Sequence, residues 1–150
     1  MNFKDAILYK SIYDIFGINL QKKPDSTFTR SEIDGKAHYK RYFEPRECGV
    51  FHELEIIEQG ETYQNAIFQG IEPWNRDELC STIMKITTAL YSIFGQDDYG
   101  NGVFSLHEIE DYNHGTFHRS YNLLESDGMF IELYNKDFML CLSIMGISIK

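Results

Sequence analysis

Between Trp74 and Gly95 the chain reads WNRDELCSTIMKITTALYSIFG. Leu79, Ile83, Ile86, Leu90 and Ile93 return at steps of three and four, so they share one stripe of a 3.6-residue helix. Asn75 followed by Glu78 is a variant of the capping box, with Asn in place of Ser or Thr. Gly95 stands just past the last periodic residue, where a left-handed C-cap costs glycine least. Start, stripe and stop agree on one amphipathic helix, whose apolar stripe needs a second layer to pack against.

The flanking sequence supplies that layer. Residues 3–16 predict a first helix, with Leu8, Ile12, Ile15 and Phe16 on one face, Phe3 and Ile7 at its flank, and Gly17 as its stop. Residues 18–31 carry Lys22, Lys23, Pro24, Asp25 and Ser26 and read as a polar connection. Three strand-like runs follow at 36–44, 50–58 and 62–69, with Gln59-Gly60-Glu61 as a hairpin link between the last two. In the second run, Val50, His52, Leu54 and Ile56 alternate with Phe51, Glu53, Glu55 and Ile57.

After the long helix, residues 96–116 are irregular, with a short strand as an option at 103–109. Residues 118–124, 129–134 and 138–145 read as closing strands, joined by Ser126-Asp127-Gly128 and by Asn135-Lys136-Asp137. The last run is almost continuously apolar, as in a central strand. The expected fold is a single α+β domain over residues 1–150. It has one antiparallel sheet of about five to six strands with two helices packed on one face, in the order α-βββ-α-(β)βββ.

A chain of 150 residues can bury a core without disulfides. Its formal net charge of −9 repels phosphate and argues against nucleic acid as a partner. Cys48, Cys80 and Cys141 form no metal or redox spacing and read as reduced, partly buried thiols of a cytoplasmic, bacterial-type protein. The N-terminal stretch has charges where a signal peptide is apolar. The apolar run from Phe138 to Ile149 is too short for a membrane helix, so no membrane partner is expected.

Catalytic motifs are missing: there is no GxSxG, and Gly100-Asn101-Gly102 is a turn signal and not a phosphate loop. The stretch HEIEDYNHGTFH holds His107, His114 and His118 among carboxylates, which are ligands that zinc takes. Asp111 stands where HExxH needs histidine, and Gly115 interrupts the helical spacing of His114 and His118. A metal site on these three histidines is therefore the alternative and a solvated loop the expectation. His52, on the apolar side of its strand, reads as a buried, hydrogen-bonded histidine, with a general base in a pocket as the alternative. No cofactor and no enzymatic activity are expected.

Charge is segregated along the chain. Residues 22–46 hold seven Lys or Arg against four acids, whereas residues 47–72 hold six glutamates and no Lys or Arg. The loop after the long helix is acidic again and carries aromatics. Asp97, Asp98, Tyr99, Glu108, Glu110, Asp111 and Tyr112 are its candidate partner-binding residues. Carboxylates steer a basic partner and aromatics supply contact energy. In this, the chain resembles, at the level of class, the immunity proteins of contact-dependent and other polymorphic bacterial toxin systems. The resemblance implies a toxin inhibitor whose acidic surface occludes the basic active-site cleft of a nuclease-type toxin. A small enzyme using a metal or a histidine, and a scaffold or chaperone-like interaction domain, are the alternatives.

Overall fold

The computed structural model describes residues 3–70, 76–123 and 128–149. Helix α1 (Phe3–Phe16) leads into strands β1 (Thr29–Ile33), β2 (Lys36–Tyr42), β3 (Phe51–Glu58) and β4 (Tyr63–Gly70). Helix α2 (Arg76–Phe94) follows. Next come a 3-10 turn at Leu106–Glu108, a short helix α3 (Ile109–Asn113), and strands β5 (His118–Leu123), β6 (Met129–Lys136) and β7 (Met139–Ser148). All seven strands form one antiparallel sheet in the order β1-β2-β3-β4-β7-β6-β5. The α+β class is as expected. One more strand and one more helix are present than the sequence reading gave.

The extra strand is β1, inside the stretch read partly as a polar connection. Its five residues are all exposed, so no apolar alternation betrays it. What makes it is the turn: Asp34 and Gly35 both take positive φ (53° and 76°) between the paired Ile33 and Lys36. That is the two-residue turn whose twist matches a hairpin. The optional strand at 103–109 is replaced by the 3-10 turn and α3. Ser105 N–H donates to Glu108 Oε2 at 2.8 Å, and Ile109 and Tyr112, three apart, bury one face of α3.

β7 runs between β4 and β6, so the last strand in sequence is central in space. It continues past the expected end at 145 to Ser148. The turn before it is Asp137-Phe138, with φ of 52° and 64°, and not Asn135–Asp137. Phe138 is consequently exposed at the tip instead of opening the strand.

The core lies on one side of the sheet. Leu54, Ile56, Ala66, Phe68, Leu133, Leu140, Leu142 and Ile144 face α1 and α2 in one contiguous cluster. Phe16, Phe51 and Phe68 meet edge-on or tilted with centroids 5.4–5.5 Å apart and tie α1 to β3 and β4. On α2 the stripe is as expected, with Leu79, Ile83, Ile86 and Leu90 buried; Gly95 (φ 82°) ends the helix with its N–H on Tyr91 O. The proposed cap residue Asn75, with Trp74 before it, lies outside the described residues, as do Leu124, Ser126 and Asp127 of the strand and link expected before β6. On α1, Leu8, Ile12 and Phe16 are buried with Tyr9, while Phe3 is exposed.

A register shift between Phe51 and Glu53 breaks the alternation expected in β3. The bulge turns Phe51 into the core beside Leu54, and His52 keeps 34% of its side chain exposed. Gly70 opposes Phe51, and a Cβ there would stand 2.6 Å from Val50 O, so the strands meet only because residue 70 has none.

Candidate functional site

Helices cover one face of the sheet; the other carries alternate residues in register. One row runs Tyr42, Glu53, Gln69, Cys141, Tyr134, His118, and the next Lys40, Glu55, Ile67, Ser143, Glu132, Ser120. Its first half is ionic: Lys40 Nζ lies 3.6 Å from Glu53 and 3.8 Å from Glu55, and His38 Nδ1 is 3.7 Å from Glu55. Its second half is aromatic. His118 Nε2 meets Glu132 Oε2 at 2.9 Å, and the His118 ring lies 6.0 Å from Tyr99 and 6.5 Å from Tyr134. Cys141 is buried between Gln69 and Tyr134 in that row, and burial pushes its thiol pKa up, away from the nucleophilic thiolate.

The loop after α2 is fastened to the β5 corner of the sheet. Asp97 Oδ1 accepts the backbone N–H of Tyr99 (3.2 Å) and of Asn101 (2.7 Å). Asp98 N–H donates to Ser120 O, and its carboxylate accepts from Ser120 Oγ and the Asn122 N–H. Asp98 thereby occupies two outward backbone groups of β5, the edge strand. Between these clamps Tyr99 is held out with 68% of its surface exposed.

Beneath the loop lies Arg119, 2% exposed, on the core side of β5. Its guanidinium donates to Gly102 O and to Glu108 Oε1, both at 2.5 Å, and sits 5.9 Å from the Phe117 ring centroid. Thr87 on α2 accepts the Phe104 N–H at 3.0 Å. Asn135 of β6 donates through Nδ2 to Tyr112 O at 2.7 Å. Loop, α3 and sheet corner are one braced unit.

The seven candidate residues therefore divide. Asp97 and Tyr112 are buried, and Glu108 is taken up by Arg119. Asp98 is exposed but engaged with β5, while Tyr99, Glu110 and Asp111 face solvent. The three histidines of the metal alternative make three separate local contacts: His107 with Ser105 Oγ, His114 with Glu110 O, and His118 with Glu132. Among the described residues no group of three or more His, Cys, Asp or Glu is placed to hold a metal ion. Sequence reading missed the pairing of His118 with Glu132 and Tyr134, which depends on strand register, and the role of Arg119, the only Lys or Arg in residues 97–127.

Among the described residues, cavities lie away from this corner. A shallow groove of about 440 Å³ separates α1 and α2, over Ile15, Met84 and Ala89. A second, of about 370 Å³, lies under the connection after α1, among Tyr13, Lys22, Lys23, Phe28 and Arg41. Neither contains a histidine or any of the candidate acids. Among the described residues, no helix is long and apolar enough to cross a membrane. Comparisons with models of known protein families, with curated proteins and with solved structures find no match to this chain.

Proposed function

We propose that this chain is an acidic protein-binding domain, an immunity protein that neutralises a basic, nuclease-type toxin by covering its active-site cleft. The observation that carries the reading is the presentation of Tyr99. Exposure comparable to its 68% is shared by Phe3, Tyr42 and Phe138; what sets Tyr99 apart is that it stands on a loop fastened by the Asp97 and Asp98 carboxylates. A rigid tyrosine loses little conformational freedom on binding and fits the role of a central anchor. His118, Glu132 and Tyr134 extend the surface along the sheet, and Glu110 and Asp111 stand on the adjoining α3. With a net charge of −9, the chain draws in a cationic cleft of the kind that nucleases use to attract phosphate.

The mechanism needs no bond to be made or broken. Carboxylates accelerate encounter, Tyr99 fills a depression in the cleft, and substrate is excluded by bulk and by like charge. The test is co-expression with toxin domains encoded next to this gene. A stable complex in which nuclease activity is lost is expected. Replacing Glu110 and Asp111 by Lys should slow association about tenfold at low salt. Neighbouring basic domains that neither bind nor lose activity would remove this function.

A further inference from the structure

The two edges of the sheet are treated differently. At β5 the Asp97-Asp98 loop occupies outward backbone groups. At β1 all five residues are exposed, and among the described residues no strand pairs with its outer side. β1 contains no proline, lysine or bulge; what guards it is its length of five residues and its two charges, Arg30 and Glu32, which are of opposite sign.

The sequence of β1 is complementary to itself. Ile33 and Lys36 flank a two-residue turn and form its hydrogen-bonded pair, so Thr29, Ser31 and Ile33 direct their backbone groups to β2. Arg30 and Glu32 direct theirs outward. An antiparallel copy related by a two-fold axis through Ser31 sets Arg30 opposite Glu32 of the copy, and Glu32 opposite its Arg30. The outward N–H and C=O groups of both residues then face their counterparts. Axes through Arg30 or Glu32 also match the backbone but oppose like charges, which is unfavourable across a strand pair. An axis between residues sets outward groups against inward ones. Only the axis at Ser31 satisfies backbone and charge together.

We propose that β1 is a self-association surface: two copies of this chain pair antiparallel through Thr29–Ile33, joining their sheets edge to edge about Ser31. The contact is short, so the dimer is weak and concentration-dependent. It lies at the opposite end of the sheet from Tyr99 and leaves that surface free, so it stands independently of the proposed toxin binding.

Cross-linking tests the register. Ser31 and its counterpart form a non-hydrogen-bonded pair, whose Cα separation of about 4.5 Å suits a disulfide. Thr29 and its own counterpart lie four residues apart, about 13 Å. The native Cys48, Cys80 and Cys141 are all buried and do not compete. Under mild oxidation Ser31→Cys should form a covalent dimer at least about tenfold faster than Thr29→Cys. In sedimentation equilibrium, Arg30→Glu should abolish the dimer of the native chain, and adding Glu32→Arg should restore it. Equal cross-linking rates, a native chain monomeric up to about 1 mM, or a charge swap that restores nothing overturns the proposal.

Discussion

Arg119 Nη2 and Glu108 Oε1 meet at 2.5 Å, with 3% of the arginine side chain and 19% of the glutamate side chain exposed. The pair joins the core side of β5 to the turn that starts α3. Its two halves are not equivalent. Without Arg119, Glu108 still has a partial route to water; without Glu108, a guanidinium is left buried with only a carbonyl partner.

Glu108→Ala should therefore destabilise the fold by about 3 kcal/mol, since breaking a buried pair leaves a charge uncompensated. The double variant Glu108→Ala with Arg119→Met should regain part of that loss. Urea unfolding of the single and double variants measures it, and a double variant no more stable than Glu108→Ala contradicts this account of the pair.

Tyr99 and Asp97 are two residues apart and should behave in opposite ways. Tyr99→Ala removes an exposed ring and should alter stability by less than about 0.5 kcal/mol. Asp97→Ala strips the buried acceptor of two backbone N–H groups and should cost about 1–2 kcal/mol. Thermal melts separate the two. In a binding assay with a toxin partner, Tyr99→Ala should be the one that shortens the lifetime of the complex.

Alkali should unfold the chain early. Burial raises the Tyr9 and Tyr121 hydroxyls from 10.0 to about 12 and the Cys48 thiol from 9.0 to about 12. Below about pH 8 these groups are neutral in both states and add no pH dependence; above it the Cys48 thiol of the unfolded chain, with its ordinary value of 9.0, is the first to ionise. Between pH 9 and 12 the unfolded chain gives up their protons first, so stability falls as pH rises. Two pKa units on one tyrosine correspond to at most about 2.7 kcal/mol. Tyr121 Oη, buried and without a hydrogen-bond partner among the described residues, makes the clean probe. Tyr121→Phe should be neutral within about 1 kcal/mol at pH 7 and should flatten the decline between pH 10 and 11, followed by urea midpoints.

How far this could be read from sequence depended on the range of the interactions. The stripe from Leu79 to Leu90 and the stop at Gly95 are local, and α2 formed where they put it. Strand β1 has no apolar side to announce it, Ile33 being its one apolar residue; its signal was the Asp34-Gly35 turn between Ile33 and Lys36. In the acidic loop, composition marked the region but not its orientation. Asp97 and Glu108 point at backbone and Arg119, because a loop packed on a sheet corner must satisfy its own buried N–H groups first. His118 and Glu132 are fourteen residues apart and met only through the register of β5 on β6.

Asp98, by filling the edge of β5, sets the arithmetic of assembly. A sheet open at both sides can take on copies without end and grow into a fibre. With two outward groups of β5 taken by Asp98, β1 is the open border among the described residues, and the proposed union there closes on itself at two. A crowded solution of this chain should therefore stay clear, holding singles and pairs and no longer ribbons.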